Sequence, residues 1–132
     1  MPTIRTIPFD PATPVTISGL SGATSLYKDP SGALKAGIWA SEPKRVEIDY
    51  TSDEFCVLLE GEVTLTDADG RETRHRAGDA FLIPAGFKGI WENTVPVRKF
   101  YVLHNPWPRV EVTGGAAPAP TPRRRSVQRT RT

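Results

Sequence analysis

The sequence predicts an all-β fold: one closed barrel of two sheets, followed by a basic tail that takes no part in it. Three observations carry the prediction. Thirteen Pro and eleven Gly are spread along the 132 residues rather than clustered, which implies many turns. Short segments that alternate apolar and polar residues recur at regular spacing. No apolar stripe at helical spacing lasts beyond two turns. A mass of 14.5 kDa with 38% hydrophobic residues supplies one core and leaves no room for a second domain.

Taken in order, residues 1–32 read as an arm lying over the barrel, with Pro at positions 2, 8, 11, 14 and 30 and an edge strand expected at Val15-Thr16-Ile17-Ser18. The barrel proper is expected over residues 33–112. Ala33 to Ser41 and Val46 to Tyr50 are its first strands, the second alternating apolar and charged residues. A hairpin unit runs from Glu54 to Arg76: Phe55 to Leu59 leads through Gly61 into Val63 to Thr66, and Asp67-Ala68-Asp69-Gly70 turns the chain back. Ala80 to Ile83, Lys88 to Thr94 and Val97 to Leu103 complete the set, with a break at Pro84-Ala85-Gly86-Phe87. From residue 113 to 132 the composition becomes Gly, Ala, Pro and then Arg, a disordered basic tail.

The formal net charge of +2 conceals an asymmetry. Five of the seventeen basic residues lie in the last ten positions, and through residue 122 the acids outnumber the bases by three. The barrel segment is therefore mildly acidic, and nucleic acid is not an expected partner of it. The tail alone could touch phosphates, weakly and with strong salt dependence. A single cysteine, Cys56, excludes an intramolecular disulfide and a cysteine-based zinc site, which suits the cytoplasm. No stretch approaches eighteen apolar residues and Met1 to Arg5 lead into no signal-peptide core, so no membrane association is expected.

Two motifs stand in register. Gly78 to Gly86 has the spacing G-x5-P-x-G, and its continuation places Gly89 and Asn93 where an x2-H-x3-N pattern has its histidine and asparagine. Sixteen residues upstream, Glu54 and Gly61 form E-x6-G. Together these resemble the two motifs of the cupin superfamily over roughly residues 33–104, which implies an RmlC-like jelly roll, a double-stranded β-helix. The segments Gly37-Ile38-Trp39, Asp53-Glu54-Phe55-Cys56 and Gly89-Ile90-Trp91-Glu92 are similar to a small single-domain branch that includes the ethanolamine-utilisation cupin and is related to ureidoglycine aminohydrolase. Metal-binding cupins use an H-x-H, the glutamate and the second-motif histidine. Here only Glu54 has its counterpart.

The two other histidine slots hold Ile48 and Tyr50, or, one register away, Glu47 and Asp49. Alternation favours the first register, because a narrow barrel interior accepts apolar residues more readily than two carboxylates. The second would gather Glu47, Asp49 and Glu54, oxygen donors suited to a hard cation. No metal is expected, and Mg²⁺, Ca²⁺ or Mn²⁺ on Glu54 is the sole exception entertained.

Glu54 is the candidate acid/base, since the resemblance implies an inward position where desolvation favours its neutral form; the competing reading is a structural carboxylate. Tyr50 is a candidate hydrogen-bond donor to a ligand, or a core residue with its hydroxyl paired. Trp39, Cys56, Trp91 and Asn93 are candidate ligand-binding residues. The two indoles either wall a pocket or fill the space, and Cys56 shares the parity of Glu54 toward the pocket, although a free cysteine in an apolar strand is usually a small buried hydrophobe. His75 and His104 occupy no ligand slot. Arg98 and Lys99 read as a solvated face. The function expected is binding of, or action on, a small polar metabolite inside the barrel, by isomerase, lyase or aminohydrolase-type chemistry if it is an enzyme. The alternative is a non-catalytic scaffold, in either case paired as a homodimer.

Overall fold

Strands form where the sequence alternates. The computed structural model describes residues 2–105 and contains β1 (Ser21–Lys28), β2 (Leu34–Ser41), β3 (Lys44–Asp49), β4 (Asp53–Glu60), β5 (Glu62–Asp67), β6 (Glu72–Arg76), β7 (Ala80–Ile83), β8 (Lys88–Asn93) and β9 (Val97–His104). The expected tail at 113–132 and the end of the barrel segment lie outside the described residues. Sheet A has the order β1-β2-β9-β4-β7 and sheet B the order β3-β8-β5-β6. Every pairing is antiparallel. Two such sheets face to face, with the chain crossing between them except at the β1–β2 and β5–β6 pairs, make the all-β jelly roll. Among the described residues no helix is long and apolar enough to cross a membrane.

Two local expectations change. The edge strand is not Val15 to Ser18 but β1, six residues later. Pro14 precedes the expected segment, whereas Ser21–Lys28 contains no proline and pairs with β2 from Ser21 to Lys28, with one register shift between Ser25 and Tyr27. Ser18 keeps a single isolated bridge, to Ser21. The second change is to the Glu54 to Arg76 unit, whose first arm is not continuous: β4 and β5 lie in different sheets, and Glu60-Gly61 is the corner between them. Gly61 has φ 84°, and a Cβ there would strike the Pro96 carbonyl oxygen and lie 2.7 Å from Val97 Cγ1. The expected turn at Asp67 to Gly70 closes the β5–β6 hairpin, with the Gly70 N–H donating to the Asp67 carbonyl at 2.9 Å.

The N-terminal segment lies on the outer face of sheet A. Arg98, expected to be solvated, turns outward from β9 and uses its guanidinium as a clamp, donating to the carbonyls of Pro11 at 2.8 Å and Thr13 at 2.5 Å. Phe9 sits edge-on to Phe100, with centroids 5.1 Å apart. Phe100 is the cross-strand partner of Ile38, which is fully buried although alternation places it on the outward face. Sheet A is therefore apolar on both faces along β2. The core between the sheets includes Trp39, Ile48, Tyr50, Leu58, Trp91 and Tyr101.

Candidate functional site

The inward residues of sheet A fall in three cross-strand rows: Trp39, Lys99 and Leu58; then Gly37, Tyr101, Cys56 and Phe81; then Leu103, Glu54 and Ile83. Period-two alternation along β4 and β9 dictates these rows. The long Lys99 stem runs past the middle row, so that its Nζ lies 2.9 Å from Glu54 Oε2. Both side chains are 0% exposed. The pair is misaligned for a hydrogen bond, so its attraction is chiefly that of charge in a medium that screens weakly.

Two indoles cage the ammonium. Lys99 Nζ is 4.5 Å from the ring centroid of Trp39 and 4.5 Å from that of Trp91, and the rings meet edge to face at 5.4 Å and 83°. A desolvated cation over an indole gains about 2 kcal/mol, and here two rings share it. Lys44 Nζ lies over the Trp39 ring as well, 5.1 Å from its centroid. Desolvation first, and repulsion by Lys99 second, push its pKa down to about 8. The indole's attraction does not outweigh these two effects.

Each residue singled out in the sequence has a definite place. Glu54, Trp39, Trp91, Cys56 and Asn93 are all buried within the barrel, and so is Tyr50 at the end of β3. The Tyr50 N–H donates to the Phe87 carbonyl at 2.9 Å and its carbonyl accepts from Gly86 N–H at 2.8 Å, which ties the 84–87 turn to the strand end. Asp53 supports the same turn by accepting from Ala85 N–H at 2.8 Å; that bond, helped by His104, holds its carboxyl below the usual range. Asn93 acts as a clamp. Its Oδ1 accepts from Trp91 Nε1 at 2.8 Å, while its Nδ2 donates to the carbonyls of Glu42 at 3.0 Å and Val95 at 2.8 Å. Cys56 is fully enclosed beside Glu54, and burial pushes its thiol up, away from thiolate chemistry.

Ile48 and Tyr50 take the inward register, while Glu47 is exposed, so Glu47, Asp49 and Glu54 do not gather. Among the described residues no three His, Cys, Asp or Glu side chains are placed to share a metal ion. Gly89 is closely approached by β5, and a Cβ there would strike the Thr66 carbonyl oxygen and lie 2.9 Å from Phe87 Cζ.

Sequence reasoning missed Lys99. The signal was present, because Val97, Lys99, Tyr101 and Leu103 share parity along β9 and all four are buried. It also missed the barrel mouth. β6 and β7 are the free edges of sheets B and A, and His75 stacks on Phe81 across the gap, with centroids 4.0 Å apart and planes 15° from parallel. Beneath them is a cavity of about 260 Å³ whose walls include Leu65, Asp67, His75, Phe81, Ile83 and Phe87. Ile83 and Phe81 are the direct partners of Glu54 and Cys56, so the cavity floor is one side chain from the ion pair. A larger cavity, about 320 Å³, has Glu47, Asp49, Asp67 and Lys88 among its walls. It touches neither the ion pair nor its cross-strand partners, so the smaller one is the relevant opening.

A family model described as the EutQ-like cupin domain matches residues 28–101. A protein described as ethanolamine utilization protein Q from Salmonella typhimurium is 26% identical, with a TM-score of 0.58 over 64% of this chain and 69% of that one. A protein of unknown function from Pseudomonas syringae is 29% identical, with a TM-score of 0.58 over 76% of this chain and 44% of that one. The cupin domain of Cnp3 from Schizosaccharomyces pombe shares the fold at 18% identity, with a TM-score of 0.58 over 72% of this chain and 70% of that one. Among curated proteins there is no match.

Proposed function

The chain belongs to the EutQ-like cupin domain family, and we propose that it is a metal-independent member that binds a small polar metabolite at the barrel mouth. The observation that carries this reading is the Glu54–Lys99 pair, 2.9 Å apart and 0% exposed. The carboxylate that would ligate an ion already has a cation beside it. The other donor slots hold Ile48, Tyr50 and Gly89, and at Gly89 the β5 backbone leaves no room for a side chain. These residues do not fit a divalent metal, whose hard or borderline preferences call for several oxygen or imidazole donors. A lone buried thiol such as Cys56 is at home in a reducing cytoplasm.

With the interior filled by Trp39, Trp91 and Lys99, a ligand has room at the mouth, over Ile83 and Phe81. Binding there is the step the geometry supports. Turnover would require that layer to part and expose Glu54 as the acid/base, with Tyr50 as donor. The test is a thermal-shift screen of the full chain against small polar metabolites in the presence of EDTA. At least one compound should raise the Tm, as binding to the native state alone must do, and Phe81→Ala should abolish the rise. A uniformly flat screen would sink the binding reading. If a ligand is found and turned over, Glu54→Gln should stop turnover.

A second reading, a dimerising scaffold, has one specific observation in its favour. Phe55 and Leu82 are cross-strand partners on the outward face of sheet A, 45% and 57% exposed, an apolar pair that a second copy would cover. Sedimentation of wild type against Phe55→Ser separates the readings: a dimer lost in the variant, together with a flat ligand screen, selects the scaffold.

A further inference from the structure

We infer that the mouth cavity takes a flat heteroaromatic ring with N–H donors on one edge, of the size of a single aminopyrimidine. The inference rests on the mouth being the ligand site and adds the chemical class of what enters it.

Size sets the first limit. At about 260 Å³ the cavity falls just below the range of about 300–1,000 Å³ that holds drug-sized molecules. One substituted ring fits; a nucleotide or a disaccharide does not.

The walls set the second. His75 and Phe81 present a near-parallel stack at one side of the cavity, and Phe87, Leu65 and Ile83 are among its apolar walls, with Asp67, Arg71 and Thr73 as polar ones. A planar ring extends such a stack and buries both its faces against apolar surface, which a sugar or an aliphatic amino acid cannot do.

The polar edge sets the third. Asp67 Oδ1 accepts from the N–H groups of Asp69 and Arg71, each at 2.9 Å. Oδ2 is 4.0 Å from the Arg71 guanidinium, beyond hydrogen-bond reach, and retains acceptor capacity, and Asp67 is part of the cavity wall. His75 is held below its ordinary pKa by desolvation, opposed by Asp79, and its neutral ring carries one acceptor nitrogen and one N–H donor, so it accepts from a ligand or donates to one. The Asp67 carboxylate, which can only accept, calls for a ligand that donates. Arg71 also lines the mouth, but its guanidinium lies between the carboxylates of Asp67 and Asp69, at 4.0 and 3.9 Å, and Glu47 and Asp49 line the adjoining cavity that shares Asp67, so the local balance of charge is against an anion.

The experiment is a ¹H–¹⁵N NMR titration of the full chain with 2-aminopyrimidine, benzoate and glucose. The expected result is saturable movement of the His75, Phe81 and Phe87 amides with 2-aminopyrimidine, with affinity at least tenfold weaker in Asp67→Asn. The asparagine Oδ1 can still cap the 67–71 turn, so the variant retains its fold, and an unchanged Tm verifies it. Saturation by benzoate or glucose in place of 2-aminopyrimidine would overturn the ligand class while leaving the mouth as a binding site. Equal affinity of wild type and Asp67→Asn would overturn the role of the carboxylate edge. Immobile mouth amides with all three probes would overturn the inference, and the broader metabolite screen then decides separately whether the mouth binds anything.

Discussion

The barrel interior and the barrel mouth differ by one layer of side chains and by almost everything else. Inside, two opposite charges are fully enclosed and caged by two indoles. At the mouth, a half-buried imidazole lies on a phenylalanine across two unpaired strand edges, with a cavity below. Chemically suggestive residues are thus concentrated where solvent cannot go, and the accessible space is lined by residues that no motif marks. A fold can keep the shape of an inherited site while using its polar residue to hold itself together, and ligand recognition then moves to the rim.

The contrast breaks most visibly at Lys99. Replacing it by Met leaves the Glu54 carboxylate buried without its cation, which should cost about 3–5 kcal/mol. The double variant Lys99→Met/Glu54→Gln removes both charges and should recover most of that loss. Urea denaturation of the two single variants and the double variant measures the coupling. Additive effects would mean that the pair is not the interior's organising contact.

Gly89 gives the next largest effect. Its Cα faces Ile48 across β3–β8, and a side chain there meets the Thr66 carbonyl and Phe87. Gly89→His should therefore destabilise by about 1–3 kcal/mol, as overpacking does, and should create no site for a metal. Tight binding of Mn²⁺ or Zn²⁺ by a folded Gly89→His, measured by calorimetry, would show that the interior can still rearrange into a metal centre.

The legibility of these two regions follows from distance and parity. The inward position of Glu54, Cys56 and Trp91 is legible because strand alternation and motif spacing are local. Lys99 reads as solvated because a cation between Arg98 and Phe100 resembles surface, although its parity with Val97, Tyr101 and Leu103 argues for burial. Its partner is 45 residues away, and no local rule reveals that pairing. The change of sheet at Gly61 is not legible locally, because a positive-φ glycine serves a bend within a strand or a corner between sheets alike. His75, flanked by Arg74 and Arg76, reads as solvated. Its stacking on Phe81 depends on how two separate sheets approach, which the sequence does not display.

Lys44 sits on the outer boundary of the interior and tests where enclosure begins. Its pKa, pushed down from 10.5 to about 8, means that the unfolded chain binds more protons than the folded one between those values. Its contribution to stability is therefore unfavourable below pH 8 and improves as pH rises toward 10.5. The Trp39 indole offsets part of the cost of burying the ammonium, so less than the full shift is carried into stability. Lys44→Met should raise stability at pH 7 by about 1 kcal/mol, and the gain should shrink as pH approaches 10.5. A gain independent of pH would place its origin in packing rather than charge.

The smallest effect on stability belongs to the mouth. His75→Ala removes one ring of an edge stack and should cost less than about 1 kcal/mol. Its pH signature is more informative than its size. Because desolvation lowers the His75 pKa in the fold, the unfolded chain protonates first as pH falls below the ordinary histidine value. Wild type should lose stability through that window, whereas His75→Ala lacks this component. Thermal unfolding of the two proteins from pH 7 to pH 5 should show the curves converging on acidification. Parallel curves would mean that the imidazole is solvated and that the stack does not close the mouth. Converging curves, together with loss of ring binding in His75→Ala, would assign to one exposed edge the recognition that the sealed ion pair beneath it cannot perform.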